Sequence, residues 1–223
     1  MAPAPLYLSI IFSITVILTL FFLGSTFKNA RIPITILLIW LIIQSLIAST
    51  GFYTVTNTLP PRMMALLAPP ILCIALLFIS AKGRNYIDTL NTEWLTWLHT
   101  VRVPVEICLL LLFNAGLVPK LMTFEGINFD IISGLSAPLV VYYGYRRKTW
   151  SRNILLTWNI ICLALLFNIA YHGILSVPTP FQRFGFEQPN IGLTYFPYIL
   201  LPGFIVPAVL FAHLVSIRQL IRK

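Results

Sequence analysis

The chain has 223 residues, of which 58% are hydrophobic and only 9% charged, and its mean hydropathy is +0.89. A soluble domain is usually about a quarter charged, so this chain has too little polar surface to cover a water-exposed globule, and its solvent is expected to be largely lipid. Its formal charge is +9, but the basic residues sit between apolar runs rather than on one soluble face, which argues against nucleic acid as a partner and makes them topology signals.

A helix rising 1.5 Å per residue needs about 20 residues to cross a ~30 Å hydrocarbon core. Seven apolar runs approach that length, at 5–25, 33–55, 62–81, 95–118, 128–145, 153–175 and 194–218. The fourth and fifth carry charge at one end. No stretch is polar and long enough for a soluble domain, so residues 1–223 are expected to form one all-α, seven-helix transmembrane bundle.

The first run is followed, not preceded, by basic residues, Lys28 and Arg31. A cleaved signal peptide needs the reverse order, so the first helix is expected to be retained with the N-terminus outside. Seven crossings then leave the C-terminus in the cytoplasm. Inner connections hold Lys28, Arg31, Lys82, Arg84, Arg146, Arg147, Lys148, Arg152, Arg218, Arg222 and Lys223, against Arg62, Lys120 and Arg183 outside. That asymmetry matches the positive-inside bias. The longest outer connection, 176–193, is rich in proline, glycine and aromatics. It reads as an interfacial loop or as a lid folded onto the membrane surface.

The fourth run contains the densest intramembrane chemistry. At 100° per residue His99, Arg102 and Glu106 share a sector of about 60°, which is expected to face the bundle. Arg102 and Glu106 are spaced i,i+4, within reach of each other. A lone charge at the bilayer centre costs roughly 2.5–3.5 kcal/mol on insertion scales, and pairing removes much of that. The group reads either as a structural ion pair, with Arg102 reaching for the headgroups, or as a ligand or proton site. Pro104 lacks the N–H for the Thr100 carbonyl and should kink the helix there.

The seventh run carries Pro197, Pro202, Gly203 and Pro207, and then His213, at the same inner depth as His99. Two histidines at one depth raise ligation of a b-type haem, with Arg102 near a propionate, beside the expectation of no cofactor. A second, outer group is expected from Glu125 and Asp130 at the start of the fifth run and Asn168 and His172 on the sixth. Asn128 or Asp130 is also a plausible N-cap. Ser133, Gly134, Ser136 and Ala137 are small enough for close helix packing. Cys73, Cys108 and Cys162 lie in apolar runs without a CxxC, as core residues rather than a disulfide framework or a metal site. Motifs of zinc proteases, serine hydrolases and P-loops are absent.

The strings "LHTVRVPVE" (98–106), "MTFEGINFDIISGLSAP" (122–138) and "FAHLVSIRQL" (211–220) resemble an uncharacterised family of small bacterial multi-pass, seven-helix membrane proteins. The resemblance implies a bacterial inner-membrane location and carries no activity. The residues themselves leave three functions open. One is a small-molecule transporter or ligand-binding protein, with Arg102 holding a small anionic or polar group and His99, Glu106 and His213 forming a gate or proton relay. A second is an intramembrane enzyme acting on a lipid or isoprenoid-like substrate through Glu106, Asp130 and Glu125. The third is a bis-histidine haem protein.

Overall fold

A computed structural model describes residues 4–222 of the chain. Lys223, counted above among the inner basic residues, lies outside the described residues. Helices account for all regular structure among those described. They are α1 (Leu6–Gly24), α2 (Arg31–Ser49), α3 (Met64–Ile79), α4 (Ala81–Ile87), α5 (Thr92–Asn114), α6 (131–146), α7 (Arg152–Leu175) and α8 (Leu201–Arg222). Of these, α1, α2, α5, α7 and α8 are long and apolar enough to cross a membrane. Helix α3 is shorter and meets α4 at a bend of 97°. Helix α6 joins an α-helical segment, Ile131–Val140, to a π-helical turn, Val141–Arg146.

Burial ranks the helices. The apolar stretches of α5 and α8 are 61% and 67% buried, against 11% for α2 and 22% for α7. So α5 and α8 form the centre, α1 packs against them, and α2 and α7 stand at the perimeter with Ile36, Leu46, Ile160 and Phe167 exposed. His99, Arg102, Glu106, Asn159 and His213 are buried instead. An apolar outside around a polar inside reverses the pattern of water-soluble domains.

Local chemistry sets the helix boundaries. The Asn91 side chain caps α5 by accepting from the backbone N–H groups of Glu93 and Trp94, and Ser80 and Ser151 cap α4 and α7 in the same way. Pro104 lies in the first turn after a 3-10 segment, His99–Val101, so the expected irregularity in α5 falls there. Helix α8 begins seven residues later than the 194–218 run suggests, because Pro197 and Pro202 cannot donate to a helix through 194–200. It opens instead with a π-helical turn, Leu201–Ile205. The 176–193 segment straps the far ends of α5 and α7. The Gln188 side chain donates to the carbonyls of Phe113 and Val118, and the Asn190 side chain to that of Gly173.

At the opposite end, polar contacts clip α8 to the α4–α5 corner. Asp88 accepts from Arg218 Nε at 2.9 Å and Nη2 at 3.1 Å and also pairs with Arg222. The Gln219 amide donates to the carbonyls of Ile87 and Leu90. Glu93 pairs with Arg146 at 3.0 Å, tying α5 to α6. Higher up, α6 approaches α5 so closely that a Cβ on Gly134 would lie 2.8 Å from Val103 Cγ2 and 3.0 Å from the Val103 backbone nitrogen.

Replacing Gly134 by Ala should therefore lower stability by about 1–3 kcal/mol through overpacking, whereas Leu135→Ala, at a position 60% exposed, should not. Thermal melts of the detergent-purified variants check the contrast. The Arg218 guanidinium holds the Asp88 carboxyl below the usual carboxylate range. A depressed folded value stabilises above the unfolded value of about 3.9, and the contribution disappears as pH falls through the folded value. Asp88→Asn should cost about 1 kcal/mol at neutral pH, and its gap to the parent should close below about pH 4, as read from melts across that range.

Candidate functional site

The site starts from the interruption in α5. The 3-10 turn His99–Val101 precedes Arg102, so His99, Arg102 and Glu106 descend one buried face toward α6, α7 and α8. From α8 comes His213, fully buried. Its ring stacks on that of His99 with centroids 3.9 Å apart and planes 20° from parallel. Trp158 of α7 closes the side of the pair, edge-on to His99 at 5.4 Å, and its indole N–H donates to Ser136 Oγ of α6 at 2.9 Å.

The protonation pattern of His213 follows from its neighbour. Asn159 Nδ2 donates to the Leu155 carbonyl at 2.9 Å, which turns Oδ1 toward His213 Nδ1, 3.0 Å away. With an oxygen facing it, Nδ1 is the protonated nitrogen, and Nε2 carries the lone pair. Neither ring nitrogen of His99, nor His213 Nε2, has a hydrogen-bond partner among the described residues.

Arg102 is 2% exposed. Its Nη1 donates to the Cys162 carbonyl at 3.2 Å and lies 3.0 Å from Asp130 Oδ1, an ion-pair contact without full hydrogen-bond alignment. Its Nε and Nη2 have no partner among the described residues. Glu106 does not take the place beside Arg102 that i,i+4 spacing suggests. Its Oε1 accepts from Asn128 Nδ2 at 2.5 Å, and its Oε2 is unpartnered. Asn128 also donates to the Met122 carbonyl and accepts from the Asp130 N–H at 3.1 Å, so its amide is fully used and folds the chain ahead of α6. Asp130 occupies the N-cap position, but its carboxyl turns to Arg102 and caps nothing.

Counted along the helices, Arg102 is ten residues from Thr92, Cys162 ten from Arg152, and His213 nine from Arg222. At 1.5 Å per residue the cluster lies ~15 Å from the end where Asp88 and Glu93 make their ion pairs. Segment 115–130 descends from the opposite end to meet it, and α6 starts there.

The structure thus brings His99, Arg102, Glu106 and His213 together. The expected outer group does not assemble. Asp130 joins the inner cluster because Arg102 needs its charge, and Glu125 is exposed. Asn168 donates to the Ile127 carbonyl at 2.9 Å, and His172 Nδ1 meets the Asn168 carbonyl on its own helix, with its ring 4.8 Å from that of Phe184. Asn159, Ser133 and Ser216, which sequence reasoning missed, belong to the buried set. An amide inside the apolar run "TWNIICLALL" was the available signal for Asn159. Ser133 and Ser216 give none, since hydroxyls commonly bond their own helix.

Chemically, the cluster offers a guanidinium edge, two carboxyl groups, two imidazoles and two hydroxyls in a buried setting. It does not fit a bis-histidine haem. Axial ligation needs two imidazoles aimed at one iron from opposite sides of the macrocycle, and rings stacked at 3.9 Å leave no gap for it. Among the described residues, no three His, Cys, Asp or Glu side chains are grouped to hold a metal ion.

No curated protein and no solved structure matches the chain. The family described as Domain of unknown function (DUF8737) matches residues 59–221, a stretch that holds α3 to α7, α8 up to Ile221 and every residue of the cluster. That stretch is well over half of the 223 residues, and the protein belongs to this family.

Proposed function

We propose that the protein is a small-molecule transporter or ligand-binding protein of the bacterial inner membrane, crossing it seven times with its N-terminus outside, and that the His99–Arg102–Glu106–His213 cluster is its solute site. Arg102 holds an anionic or polar group, and the remaining members handle protons around it.

The observation that carries this reading is that, among the described residues, eight buried polar atoms of the cluster, besides the ion-paired Asp130 Oδ1, have no hydrogen-bond partner: both nitrogens of His99, Nε and Nη2 of Arg102, Glu106 Oε2, His213 Nε2, and the hydroxyls of Ser133 and Ser216. Nearly all buried polar groups in folded proteins are satisfied, and each exception needs a cause. Eight in one place, at the crossing of the two most buried helices, suit a site that water and solute enter. A structural ion pair would have matched its donors to its acceptors.

Two further features support it. The fifth crossing is discontinuous, with the largely irregular 115–130 segment, which holds one 3-10 turn at Lys120–Met122, as its outer half and α6 as its inner half. Irregular backbone at membrane depth is tolerated only where protein buries it or a cavity is lined by it, and broken helices of this kind form the solute sites of many transporters. The seven-span topology draws on the clustering of Arg146, Arg152, Arg218 and Arg222 at one end, the pattern of a cytoplasmic face. On this reading α3 crosses despite its sixteen residues, and α4 lies along the inner surface.

The test needs no knowledge of the solute. In a background of Cys73→Ala, Cys108→Ala and Cys162→Ala, Ser133→Cys should react with a small water-soluble methanethiosulfonate added to membrane vesicles. Leu135→Cys, which faces outward two residues away, should stay unlabelled. A Ser133→Cys thiol inert from both sides of the membrane would sink the reading and leave the cluster as buried structure.

A further inference from the structure

The protein contains its own example of how a carboxylate sits on an arginine. Asp88 places its two oxygens on the Nε and Nη2 of Arg218 at 2.9 Å and 3.1 Å. That edge of a guanidinium is a two-pronged donor whose spacing matches a carboxylate. In Arg102 the corresponding atoms, Nε and Nη2, are the two without partners, while Nη1 alone is engaged, by Asp130 and the Cys162 carbonyl. Asp130 therefore steadies the guanidinium from one side and leaves the fork edge without a hydrogen-bond partner among the described residues. Glu106 cannot fill it while its Oε1 is held by Asn128.

The charges of the site impose a second condition. The groups facing the fork and the imidazole pair are His99, Arg102 and Glu106 from α5, Asp130 from the turn before α6, Cys162 from α7 and His213 from α8. One fixed cation thus meets two carboxyl groups. A further carboxylate would add an uncompensated negative charge to a buried site, which is strongly unfavourable unless paired. A proton has to enter with it. His213 Nε2 is placed for that proton, since Asn159 fixes Nδ1 as the donor and leaves Nε2 with its lone pair and without a partner, whereas no hydrogen bond orients either nitrogen of His99.

We propose that the site binds a carboxylate on the Nε/Nη2 edge of Arg102 together with one proton on His213 Nε2. This rests on the solute-site reading above and names its substrate class and its coupling. The step forms and breaks no covalent bond in the ligand; the carboxylate arrives deprotonated, and the proton comes from water. Because the two binding events are linked, each raises the affinity for the other by the same factor.

The experiment is calorimetric titration of the intact, detergent-purified protein with acetate and hexanoate from water, with dodecanoate delivered in mixed micelles, and with inorganic phosphate. Binding of a carboxylate should tighten about tenfold for each pH unit lowered between about pH 8 and pH 6, as one coupled proton requires. In buffers of different ionisation enthalpy, uptake should come to about one proton per ligand. Tight binding of the short acids assigns a water-soluble substrate, and binding of dodecanoate alone assigns a fatty acid from the bilayer. Both support the proposal.

Arg102→Lys keeps the charge and loses the fork, and should weaken binding at least tenfold. His213→Gln should retain binding and lose its pH dependence, with proton uptake by the parent protein deciding the matter if that variant does not fold. Phosphate binding as tight as any carboxylate, a flat pH profile, or no binding of any probe overturns the proposal. A labelled Ser133→Cys with no carboxylate bound removes this inference and leaves the solute site standing. An unlabelled one removes both.

Discussion

A guanidinium drawn into an apolar interior must meet negative charge and carbonyl oxygens, or the segment carrying it will not stay there. Arg102 meets Asp130 and the carbonyl of Cys162, and that requirement shapes much of the fold around it. Asp130 can reach Arg102 only if the chain before α6 comes down into the bundle. Asn128 makes the descent feasible by bonding Glu106, the Met122 carbonyl and the Asp130 N–H together. The start of α6 then lies against α5, where a side chain larger than hydrogen at position 134 would strike Val103. The ion pair, the Asn128 turn and Gly134 are three parts of one solution.

The same solution lies between two well-paired ends and belongs to an under-satisfied middle. At one end, Asp88, Glu93 and Gln219 pair with Arg218, Arg222, Arg146 and backbone carbonyls. At the other, Gln188 and Asn190 bond the carbonyls that the ends of α5 and α7 leave open. Between these layers lie the unpartnered nitrogens and oxygens of the cluster. Leaving such groups unsatisfied is destabilising, commonly by about 1–3 kcal/mol each, and a bundle held only in its middle could not carry several of them. Firm ends allow a middle that answers to something other than stability.

How far the sequence foretold this depended on the kind of information each residue carried. Helix positions were legible because apolar run length is set by a single property, and His99, Arg102 and Glu106 revealed a common face through their spacing alone. The pairing was not legible. Spacing i,i+4 made Glu106 the natural partner of Arg102, yet Asn128 captures Glu106 and Asp130 takes its place, a choice made by tertiary contacts across 28 and 22 residues. Asp130 was assigned to the outer side because a full fifth span would have started there. A helix that starts only after an irregular approach leaves no mark in hydropathy here, since Ile127 and Phe129, on either side of Asn128, are as apolar as helix residues. Proline content hinted at irregularity in 194–200, and the helix does begin late there, although the residue at which it starts depends on packing.

The stacked imidazoles sharpen the meaning of that misjudged pairing. Had Glu106 paired with Arg102, the cluster would be one closed ion pair with His99 and His213 as bystanders. With Asp130 on one side of the guanidinium and Asn128 holding Glu106 away, the cluster keeps a two-pronged donor edge and a histidine whose tautomer Asn159 has fixed. Those two features lie on α5 and α8, the helices most buried in the bundle. The histidine is oriented by Asn159, whose amide already donates to the Leu155 carbonyl, and the guanidinium by Asp130 and the Cys162 carbonyl, as a preorganised site requires. A purely structural polar core gains nothing from such orientation, because any arrangement that cancels its charges would serve. Here the neighbours aim the groups and leave their reactive edges unmatched.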